Sequence, residues 1–561
     1  MYRAPLSCDM TACNHFSCKE KTLPLRVFMV RMCPQHSTLT CTLVALLLLF
    51  SSVLQANNKP PVTASLTQQV HPVLIRNPHN PLLRIRLNVH VDSTVIHAFT
   101  LNLEGSDHPD DIKTLQIFET GSSSTFATAR RYADPLQPST HSIRFPARRV
   151  LNKGTYYFWV SCQIRSTASL LNRVDVTCTS IETSQEKVVP IDKSPHVRKR
   201  IGIALRRHND AGVHTHRIPA ITRTPNGTLL CVYDLRRRKS RDLQEDIDIG
   251  LSRSTDGGQT WAPAKVIMDM GEYGNLPQEQ NGCSDPGIIV DYQTGEIFVS
   301  AVWMYGKLGK HQWNGDGSEP GYEIGTTAQF LMVRSVDDGQ SWSPPKNFTR
   351  QFKKEAWWLF APSPSQGINL MNGTLVMPSQ GRDEKGLSFS NLMFSRNHGK
   401  TWTISKPAPV ESSECQAVQL PDGSIMLNMR SEGDIRYRTV YVTHDLGTTW
   451  IPHETNQNTL IEPNCNGSLI RVAYPLNGQS ISCLIFANPH SQTARDHQTI
   501  QVSLDNGRTW PRSVLLDVGR GNGYPNLTRI NDEHLGIVYE GSQANLVFQK
   551  LSLQELIEGT R

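Results

Sequence analysis

Apolar and polar residues alternate along much of the first third of the chain. Residues 83–91 and 95–103 show the pattern most clearly. A period of two over eight or nine residues predicts strands with one buried face. Turn-forming residues such as 152–154 separate these stretches. The pattern predicts an antiparallel β-sandwich at 57–186, followed by a charged linker at 187–200.

From residue 201 onwards, a turn followed by an apolar strand recurs six times. The copies begin at residues 225, 294, 371, 421, 476 and 531, and most carry Asn-Gly or Asp-Gly. These pairs favour the positive φ angles of two-residue hairpins, so each copy predicts one β-hairpin. Six similar hairpins over roughly 350 residues predict six four-stranded blades around an axis. We therefore expect an all-β chain, with a six-bladed β-propeller at 201–561 preceded by the sandwich.

A second repeat runs out of phase with the first and has the form Ser/Thr-x-Asp-x-Gly-x-Thr/Ser-Trp. Its copies begin at residues 254, 335, 443 and 503, and a variant beginning at 395 has Asn397 in place of the acid. Asp and Gly shape such a turn through side-chain hydrogen bonds to the backbone, and Trp gives it an apolar anchor. We therefore assign these carboxylates to structure rather than to catalysis.

The N-terminal part of the chain has the pattern of an export signal. Arg26 and Arg31 precede an apolar run that ends near Leu54. The run is about 13 residues long, against the roughly 20 that a membrane-spanning helix needs. Residues 1–56 are therefore predicted to be a leader and secretory signal, with a membrane anchor as the alternative. This predicts a secreted or periplasmic protein without stable membrane insertion.

Composition narrows the class of protein further. The chain is 38% hydrophobic and 19% charged, which excludes a disordered chain. Its net charge of +7 forms no basic patch, so no nucleic acid partner is expected. The cysteines beyond the leader lack CxxC spacing, and no zinc site is predicted. Cys162 with Cys178, and Cys465 with Cys483, are near enough in sequence to pair, but buried free thiols are equally compatible.

The second repeat is the Asp box. Together with the segment 216–219 (His-Arg-Ile-Pro), it resembles the bacterial exo-α-sialidase (neuraminidase) family. Further motifs of the resemblance are Asp285-Pro-Gly, Ser413-Glu-Cys-Gln and Tyr539-Glu. The resemblance implies an enzyme that hydrolyses terminal α-ketosidically linked sialic acids from sialylated glycans, without metal or cofactor. The sandwich resembles an accessory domain of some members, for which sugar binding and packing support both stay open.

A sialoside carries a carboxylate on its anomeric carbon, and an enzyme that cleaves it must bind that anion. Planar guanidinium groups do so through bidentate, charge-assisted hydrogen bonds. The family uses three arginines from different blades, and motif position assigns them to Arg217, Arg430 and Arg495. Arg430 ends an apolar strand, which argues against an ordinary surface charge. For Arg495, which lies among polar residues, a loop cation is the alternative.

The resemblance also implies a tyrosine nucleophile. A carboxylate nucleophile would be repelled by the carboxylate of the substrate, and sialidases are the tyrosine exception among glycosidases. A phenol with an ordinary pKa near 10 needs a neighbouring base. We assign Tyr524 as the nucleophile and Glu414 as its base, with a turn aromatic as the alternative for Tyr524. Pro525 stands where a small polar residue is commoner in the family.

The general acid/base is expected on a loop near the mouth of the site. Asp242 lies on the loop after the hairpin strand of the first blade, six residues beyond Arg236. It would protonate the leaving oxygen and then activate water. Asp246 and Asp248 are rivals, but residues 246–252 alternate like a strand, so we expect both within the blade.

Spacing relates three charged residues to their hairpins. Arg236, Arg430 and Glu540 lie nine, seven and eight residues beyond equivalent turn positions, about one strand length in each case. Equivalent blade positions converge on the axis of the propeller. Charged side chains that meet there are costly to bury unless they pair with one another or with a ligand. Arg236 is assigned to the substrate pocket, and Glu540 to an ion pair that orients Arg217. Asp285 is assigned to the polar substituents of the sugar, with a loop cap as its alternative.

Two other functions stay open beside hydrolysis. A trans-sialidase or intramolecular trans-sialidase of the same fold would depend on acceptor-side loops. A non-catalytic propeller that binds sialic acid would need the arginines but not Tyr524, Glu414 and Asp242, so this trio favours an enzyme. Linkage preference and oligomeric state are not predicted.

Overall fold

The computed structural model describes residues 60–194, 197–243, 245–305 and 317–559. The predicted leader and signal lie outside the described residues. Regular structure is almost entirely β, with helices α1 (Thr349–Phe352) and α2 (Leu553–Glu558) and 3-10 turns at Pro109–Asp111, Asp210–Gly212 and Gln278–Gln280. Within this part of the chain, no helix combines the length and apolarity that a membrane crossing needs.

Eleven strands precede the repeat region: β1 (Val62–Thr67), β2 (Val73–Ile75), β3 (Asn80–Val89), β4 (Thr94–Asn102), β5 (Ile112–Gly121), β6 (Ser142–Leu151), β7 (Gly154–Ile164), β8 (Arg173–Val174), β9 (Thr177–Thr183), β10 (Lys187–Val188) and β11 (Ile191–Asp192). Nine of them form two sheets, in the orders β11-β1-β3-β7-β5 and β10-β9-β4-β6. Alternate residues such as Leu83, Ile85, Phe99 and Phe158 are fully buried in one core. The alternation in the sequence thus builds the predicted sandwich.

Part of the stretch predicted as a linker is paired into sheets. Strands β10 and β11 extend the two sandwich sheets, and the next strand already begins at Lys199. Val188 and Val197 are buried there. Two-residue strands are too short to show periodicity, which is why the charged composition of 187–200 dominated the sequence pattern.

The remaining strands are β12 (Lys199–Arg206), β13 (Thr215–Arg223), β14 (Leu229–Arg236), β15 (Ile247–Ser254), β16 (Lys265–Met268), β17 (Asn281–Val290), β18 (Ile297–Tyr305), β19 (Gln329–Ser335), β20 (Lys346–Asn347), β21 (Leu359–Pro362), β22 (Ile368–Asn369), β23 (Leu375–Arg382), β24 (Ser388–Ser395), β25 (Thr403–Ile404), β26 (Ser412–Gln419), β27 (Ile425–Ser431), β28 (Thr439–Thr443), β29 (Ile451–Pro452), β30 (Ser468–Leu476), β31 (Gln479–Pro489), β32 (Gln498–Ser503), β33 (Arg512–Asp517), β34 (Pro525–Arg529), β35 (His534–Tyr539) and β36 (Leu546–Ser552).

These strands pair into antiparallel groups, and the groups together form a closed ring. The sheet from β13 to β20 consists of two halves joined by one parallel bridge, Ile247 to Gly282. The other groups are β21–β25, β26–β29, β30–β33, and β34–β36 with β12. Strands β13, β17, β23, β26, β30 and β34 contact one another in that order, and β34 returns to β13. This closed circuit is the propeller architecture that the repeats predict.

Strand β12 closes the ring. It pairs antiparallel with β36, so the last group takes its outer strand from the start of the repeat region. The same strand pairs with β2 and β8 from the sandwich side. One strand therefore joins the two parts of the chain as well as the two ends of the propeller.

The six repeated turns connect equivalent strands, such as β13 to β14 and β30 to β31. Their geometry differs from the two-residue hairpin expected for all of them. Only Asn477 and Gly478 both have positive φ, at 51° and 79°. In the other Asn-Gly and Asp-Gly copies the glycine alone has positive φ. Longer loops there leave the residue before glycine in an ordinary conformation.

The Asp boxes are structural, as predicted. Each joins the third strand of a group to its outermost strand. In the first copy, Asp256 accepts hydrogen bonds from Ser254 Oγ at 2.8 Å and Thr260 N at 2.9 Å. Trp261 Nε1 donates to Gly258 O at 3.0 Å. The carboxylate is used inside its own turn.

The seven described cysteines are all buried and unpaired, so the disulfide alternative is not what the structure shows. Burial raises the pKa of the Cys178 thiol to about 12 and that of Cys483 to about 11. These thiols are packing groups rather than nucleophiles.

Candidate active site

A cavity of about 280 Å³ opens at one end of the propeller axis. The residues that line it come from every group of the ring: Arg217, Ile218, Asp242, Asp285, Leu359, Gln380, Gly381, Arg382, Ser388, Ser413, Glu414, Arg430, Glu432, Arg495 and Tyr524. A second cavity is lined by the opposite ends of the same inner strands, for example Thr222 of β13 and Thr528 near the end of β34. The first cavity is lined by most of the charged candidate residues, whereas Arg236 and Glu540 do not line it.

Irregularities in three inner strands lie where these side chains enter the cavity. The pairing of β13 with β14 shifts between Arg217 and Ala220, and Ile218 has φ of 57°. The pairing of β17 with β18 shifts around Asp285, whose φ is 56°. A third shift lies at Glu414 in β26. Such bulges redirect side chains, and they are frequent beside active sites.

The three arginines predicted to bind a carboxylate line the same cavity. Arg430 Nη1 lies 3.2 Å from Tyr524 Oη. The guanidinium carbons of Arg217 and Arg495 lie 5.3 Å and 5.4 Å from the centroid of the Tyr524 ring. Arg495 donates to the carbonyl oxygens of Asn522 and Asn464, and these contacts hold it at the cavity. Three guanidinium groups thus converge around one phenol.

The Tyr524 phenol is hydrogen-bonded to a carboxylate. Its Oη donates to Glu414 Oε1, and Glu414 Oε2 accepts from Arg430 Nη1 at 2.8 Å. Burial and the charge of Glu414 raise the pKa of Tyr524 well above its usual value. The phenol therefore keeps its proton until a base removes it. Pro525 begins β34 and leaves this contact in place.

Glu540 links Arg217 to the backbone beside Tyr524. It accepts from Arg217 Nε at 2.9 Å and Nη2 at 3.1 Å. It also accepts from the backbone N–H of Ile218 at 2.8 Å and of Tyr524 at 3.1 Å. Because Glu540 is only 2% exposed, these contacts are shielded from water. The predicted ion pair is present in the structure.

Asp242 lies between two arginines at the mouth of the cavity. Its Oδ1 is 2.6 Å from Arg236 Nη1 and 3.3 Å from Arg217 Nη1. Arg236 does not line the cavity directly but sits behind Asp242, fully buried. On its other side Arg236 donates to Asp234 at 2.9 Å. Sequence patterns did not single out Asp234, because it lies within an apolar strand.

Asp285 is buried at the wall of the cavity, where its backbone N–H donates to Asp234 at 3.2 Å. Burial and the neighbouring Asp234 raise the pKa of Asp285 well above its usual value. The rival acids do not line the cavity; Asp248 lies within the blade as expected, whereas Asp246 lies one residue before β15. Asp248 is inside β15 and pairs with Arg237, and Asp246 accepts from Gln278 Nε2.

Comparison with known proteins identifies the family of this chain. The model of the BNR repeat-like domain matches residues 203–539, and that of the N-terminal domain of BNR-repeat neuraminidase matches residues 62–187. A sialidase of Bacteroides fragilis (strain YCH46) is 34% identical over 87% of this chain and 94% of its own length. The chain belongs to the BNR-repeat neuraminidase family. It is an exo-α-sialidase, a glycoside hydrolase.

Solved structures support the same conclusion for this neuraminidase. The Hadza microbial sialidase Hz136 is similar with a TM-score of 0.82 and 34% identity, over 88% of this chain and 100% of that chain. A leech intramolecular trans-sialidase is similar with a TM-score of 0.54 and 17% identity, over 84% of this chain and 95% of its own. At that identity the second likeness shows the fold alone.

Several residues that line the cavity of the neuraminidase were missed by sequence reasoning. They include Gln380, Arg382, Ser388 and Glu432. Arg382 lies nine residues after Gly373, the spacing that separates Arg236 from its own hairpin turn. The same nine-residue spacing, counted from the glycine of each hairpin turn, predicts Arg382 as a site residue. The other three carry no motif of their own.

Proposed function

We propose that this sialidase releases terminal α-ketosidically linked sialic acid with net retention, through a covalent intermediate on Tyr524. One observation carries the proposal. A phenol hydrogen-bonded to the Glu414 carboxylate lies in a cavity lined by three arginines. Such a site binds the carboxylate of a sialoside beside a nucleophile, Tyr524, and its base, Glu414.

Binding orients the substrate before reaction. Arg217, Arg430 and Arg495 bind the sugar carboxylate, which brings the anomeric carbon next to Tyr524 Oη. Burial and the neighbouring Asp234 raise the pKa of Asp285, which favours its protonated form, and that form donates an O–H to a sugar hydroxyl. Arg236 holds Asp242 at the mouth, where the leaving group departs.

The first displacement transfers the sugar to the enzyme. Glu414 takes the phenolic proton as Tyr524 Oη forms a bond to the anomeric carbon. The bond from that carbon to the aglycone oxygen breaks, and Asp242 gives its proton to this oxygen. The products of this half are a tyrosyl ketoside and a free aglycone hydroxyl.

The second displacement reverses the roles. Asp242 takes a proton from water as the water oxygen bonds to the anomeric carbon, and Tyr524 leaves and recovers its proton from Glu414. Two displacements at one carbon give net retention. The cycle consumes one water and releases sialic acid.

Release of a fluorescent phenol from an aryl sialoside tests the proposal. NMR during the first turnovers is expected to show the α-anomer of free sialic acid before it equilibrates. A β-anomer formed first, an anhydro sugar, or sialic acid transferred to an added acceptor would each contradict hydrolysis with retention. Binding without any release by the wild type would identify a sialic-acid-binding propeller.

We also propose export through the N-terminal segment. Its basic residues and short apolar run support a cleaved signal. N-terminal sequencing of the mature protein tests this. A start near residue 57 is expected, and an intact leader in a membrane fraction would favour the anchor.

A further inference from the structure

A pocket of about 450 Å³ lies where the first Asp box meets the sandwich. The sandwich side contributes Ile75, Arg76 and Ser166, and the propeller contributes Ile203, Leu205, Arg206, Asp210, Ala211, His216 and residues 259–264. Gln259 Nε2 donates to Ala168 O at 2.9 Å, which holds the Asp-box turn against the sandwich. None of the residues that line this pocket lines the catalytic cavity. The pocket is therefore a separate site, and its volume is typical of sites for small ligands.

The walls of this pocket are largely apolar. Ile75, Ile203 and Leu205 are buried on one side. Trp261 is half-buried on the other side, and its Nε1 donates to Gly258 O at 3.0 Å, so the indole has no free polar group. A ligand with an apolar part would remove these surfaces from water, which favours binding.

Arg206 places a buried cation at the same pocket. It is 6% exposed, and its Nε donates to Tyr233 Oη at 2.6 Å and its Nη1 to Leu205 O at 2.9 Å. Its Nη2 donates to Ser252 Oγ at 2.5 Å and to Ala262 O at 3.4 Å. All four acceptors are neutral, and one N–H of Nη1 has no acceptor among the described residues. A buried guanidinium group without an anion is costly, so Arg206 favours an anionic ligand.

The carboxylate of Asp210, which also lines the pocket, does not compensate Arg206. Asp210 accepts from Arg76 Nη2 at 2.9 Å and from Arg207 Nη2 at 3.1 Å. The three arginines carry three positive charges against one negative charge on Asp210, which leaves a net charge of +2 around the pocket. The electrostatic balance therefore also favours an anion.

His216 adds polar atoms that carry no charge. Its ring is 1% exposed, and neither ring nitrogen makes a well-aligned hydrogen bond among the described residues, although Asn545 and the backbone of Arg207 lie nearby. Burial and the charge of Arg206 lower the pKa of His216 to about 4, so the ring is neutral at pH 7. Successive side chains of a strand point to opposite sides, and His216 lines this pocket whereas Arg217 lines the catalytic cavity. The pocket thus lies behind a catalytic-site arginine.

We propose that this pocket binds a small monocarboxylate with a short apolar tail. The carboxylate lies at Arg206, where it compensates the buried cation and accepts from the free N–H of Nη1. The tail packs against Ile203, Leu205 and Trp261. A neutral ligand of the same shape would leave Arg206 without an anion, and a compact inorganic anion would leave the apolar walls in contact with water.

An NMR titration of the full chain at pH 7 with hexanoate, 1-hexanol and acetate tests the chemistry of the ligand. A charged hydrogen bond contributes enough to change affinity about ten- to a hundredfold. We therefore expect hexanoate to bind at least about tenfold more tightly than 1-hexanol, which lacks the charge. Acetate, which lacks the tail, is expected to be weaker than hexanoate by at least about tenfold. Equal affinities for hexanoate and 1-hexanol, or no binding of hexanoate, would overturn the proposal.

The variant Ala264→Leu tests the location of the site. Ala264 is half-buried at the pocket, and a larger side chain there would occupy the space of the tail. We expect hexanoate to bind at least about tenfold more weakly to this variant, whose melting temperature stays that of the wild type. The matched control is Ala127→Leu, at an exposed position of the sandwich that does not line the pocket. It is expected to bind hexanoate like the wild type.

Sialic acid present in excess during the titration guards against binding of hexanoate to the arginines of the catalytic cavity. Hexanoate affinity that stays within twofold under these conditions supports a separate site. Loss of hexanoate binding on addition of sialic acid, or unchanged binding to Ala264→Leu, would place the carboxylate elsewhere and overturn the proposal. Because binding is measured without turnover, this result does not depend on whether the chain cleaves a sialoside.

The variant Arg206→Met removes the cation and keeps most of the side-chain volume. We expect its affinity for hexanoate to fall about ten- to a hundredfold, with its affinity for 1-hexanol within about twofold of wild type. Circular dichroism and the melting temperature show whether this buried position tolerates the change, and Ala264→Leu carries the test if the variant does not fold. Unchanged hexanoate affinity in folded Arg206→Met would overturn the proposal.

Discussion

Replacing Glu540 by glutamine tests whether one buried carboxylate organises the catalytic cavity. Glu540 accepts four hydrogen bonds, two from Arg217 at 2.9 Å and 3.1 Å and two from the backbone N–H groups of Ile218 and Tyr524. Glutamine keeps the shape but turns one acceptor oxygen into an NH₂ group. That group would face donors, and buried Arg217 would lose its bidentate anion.

The expected cost follows from these contacts. Breaking one side of a buried ion pair costs roughly 3–5 kcal/mol, so we expect the free energy of unfolding of Glu540→Gln to fall by about 3 kcal/mol. Arg217 retains Asp242 at 3.3 Å and would be drawn towards the mouth. Losing one well-aligned charged hydrogen bond to the substrate costs about 2 kcal/mol. That corresponds to about a 30-fold fall in kcat/KM.

Urea unfolding and steady-state kinetics on an aryl sialoside measure the two effects in the same protein. The matched control is Asp338→Asn. Asp338 accepts from Thr224, Thr228 and Arg253 and does not line the cavity. We expect it to lose stability and to keep kcat/KM within about twofold. If Glu540→Gln also kept kcat/KM within twofold, Glu540 would be a structural residue and the reasoning would be wrong.

Three further predictions concern the nucleophile, the anion site and a buried lysine. Tyr524→Phe is expected to lower kcat on an aryl sialoside by at least about a thousandfold. Sialic acid is still expected to raise the melting temperature of this variant. A loss of kcat under tenfold would contradict a tyrosyl intermediate. Arg430→Lys is expected to lower kcat/KM by about ten- to a hundredfold, since a charged hydrogen bond contributes about 1.5–3 kcal/mol, and an unchanged KM and kcat would exclude Arg430 from substrate binding. Burial lowers the pKa of Lys199 from 10.5 to about 7. Its contribution to stability is therefore fully present above pH 10.5 and is lost as pH falls through about 7. Lys199→Met is expected to reduce the rise in melting temperature between pH 7 and 9, and an equal rise in the variant would refute this.

Local chemistry made much of the fold predictable. Turn residues and alternation act within a few positions, so the hairpins, the Asp boxes and the sandwich strands follow from short stretches of sequence. Closure by β12 was not predicted, because its pairing with β36 joins residues more than 300 positions apart and has no local signal. The strands β10 and β11 were missed because two residues show no period.

The residues of the active site likewise fall into those that a local motif predicts and those that have no local signal. Residues in motifs, such as Tyr524 and Glu414, were assigned by resemblance, and the structure brings them together. Asp234 was missed because a carboxylate in the middle of a buried strand is visible as functional only once its partner Arg236 is seen.

Ring closure and catalysis depend on the same contacts. The first group of strands supplies Arg217, and the last group supplies Glu540 and the segment that carries Tyr524. The ion pair between Arg217 and Glu540 therefore crosses the junction where the ring closes, as does the hydrogen bond from Ile221 N to Asn526 Oδ1 at 2.9 Å. A cation buried at this junction is costly unless its anion arrives from the other end of the chain. Closure of the ring thus satisfies Arg217 and assembles the carboxylate site in one step, so a variant that loosens the junction is expected to lose activity before it loses the fold.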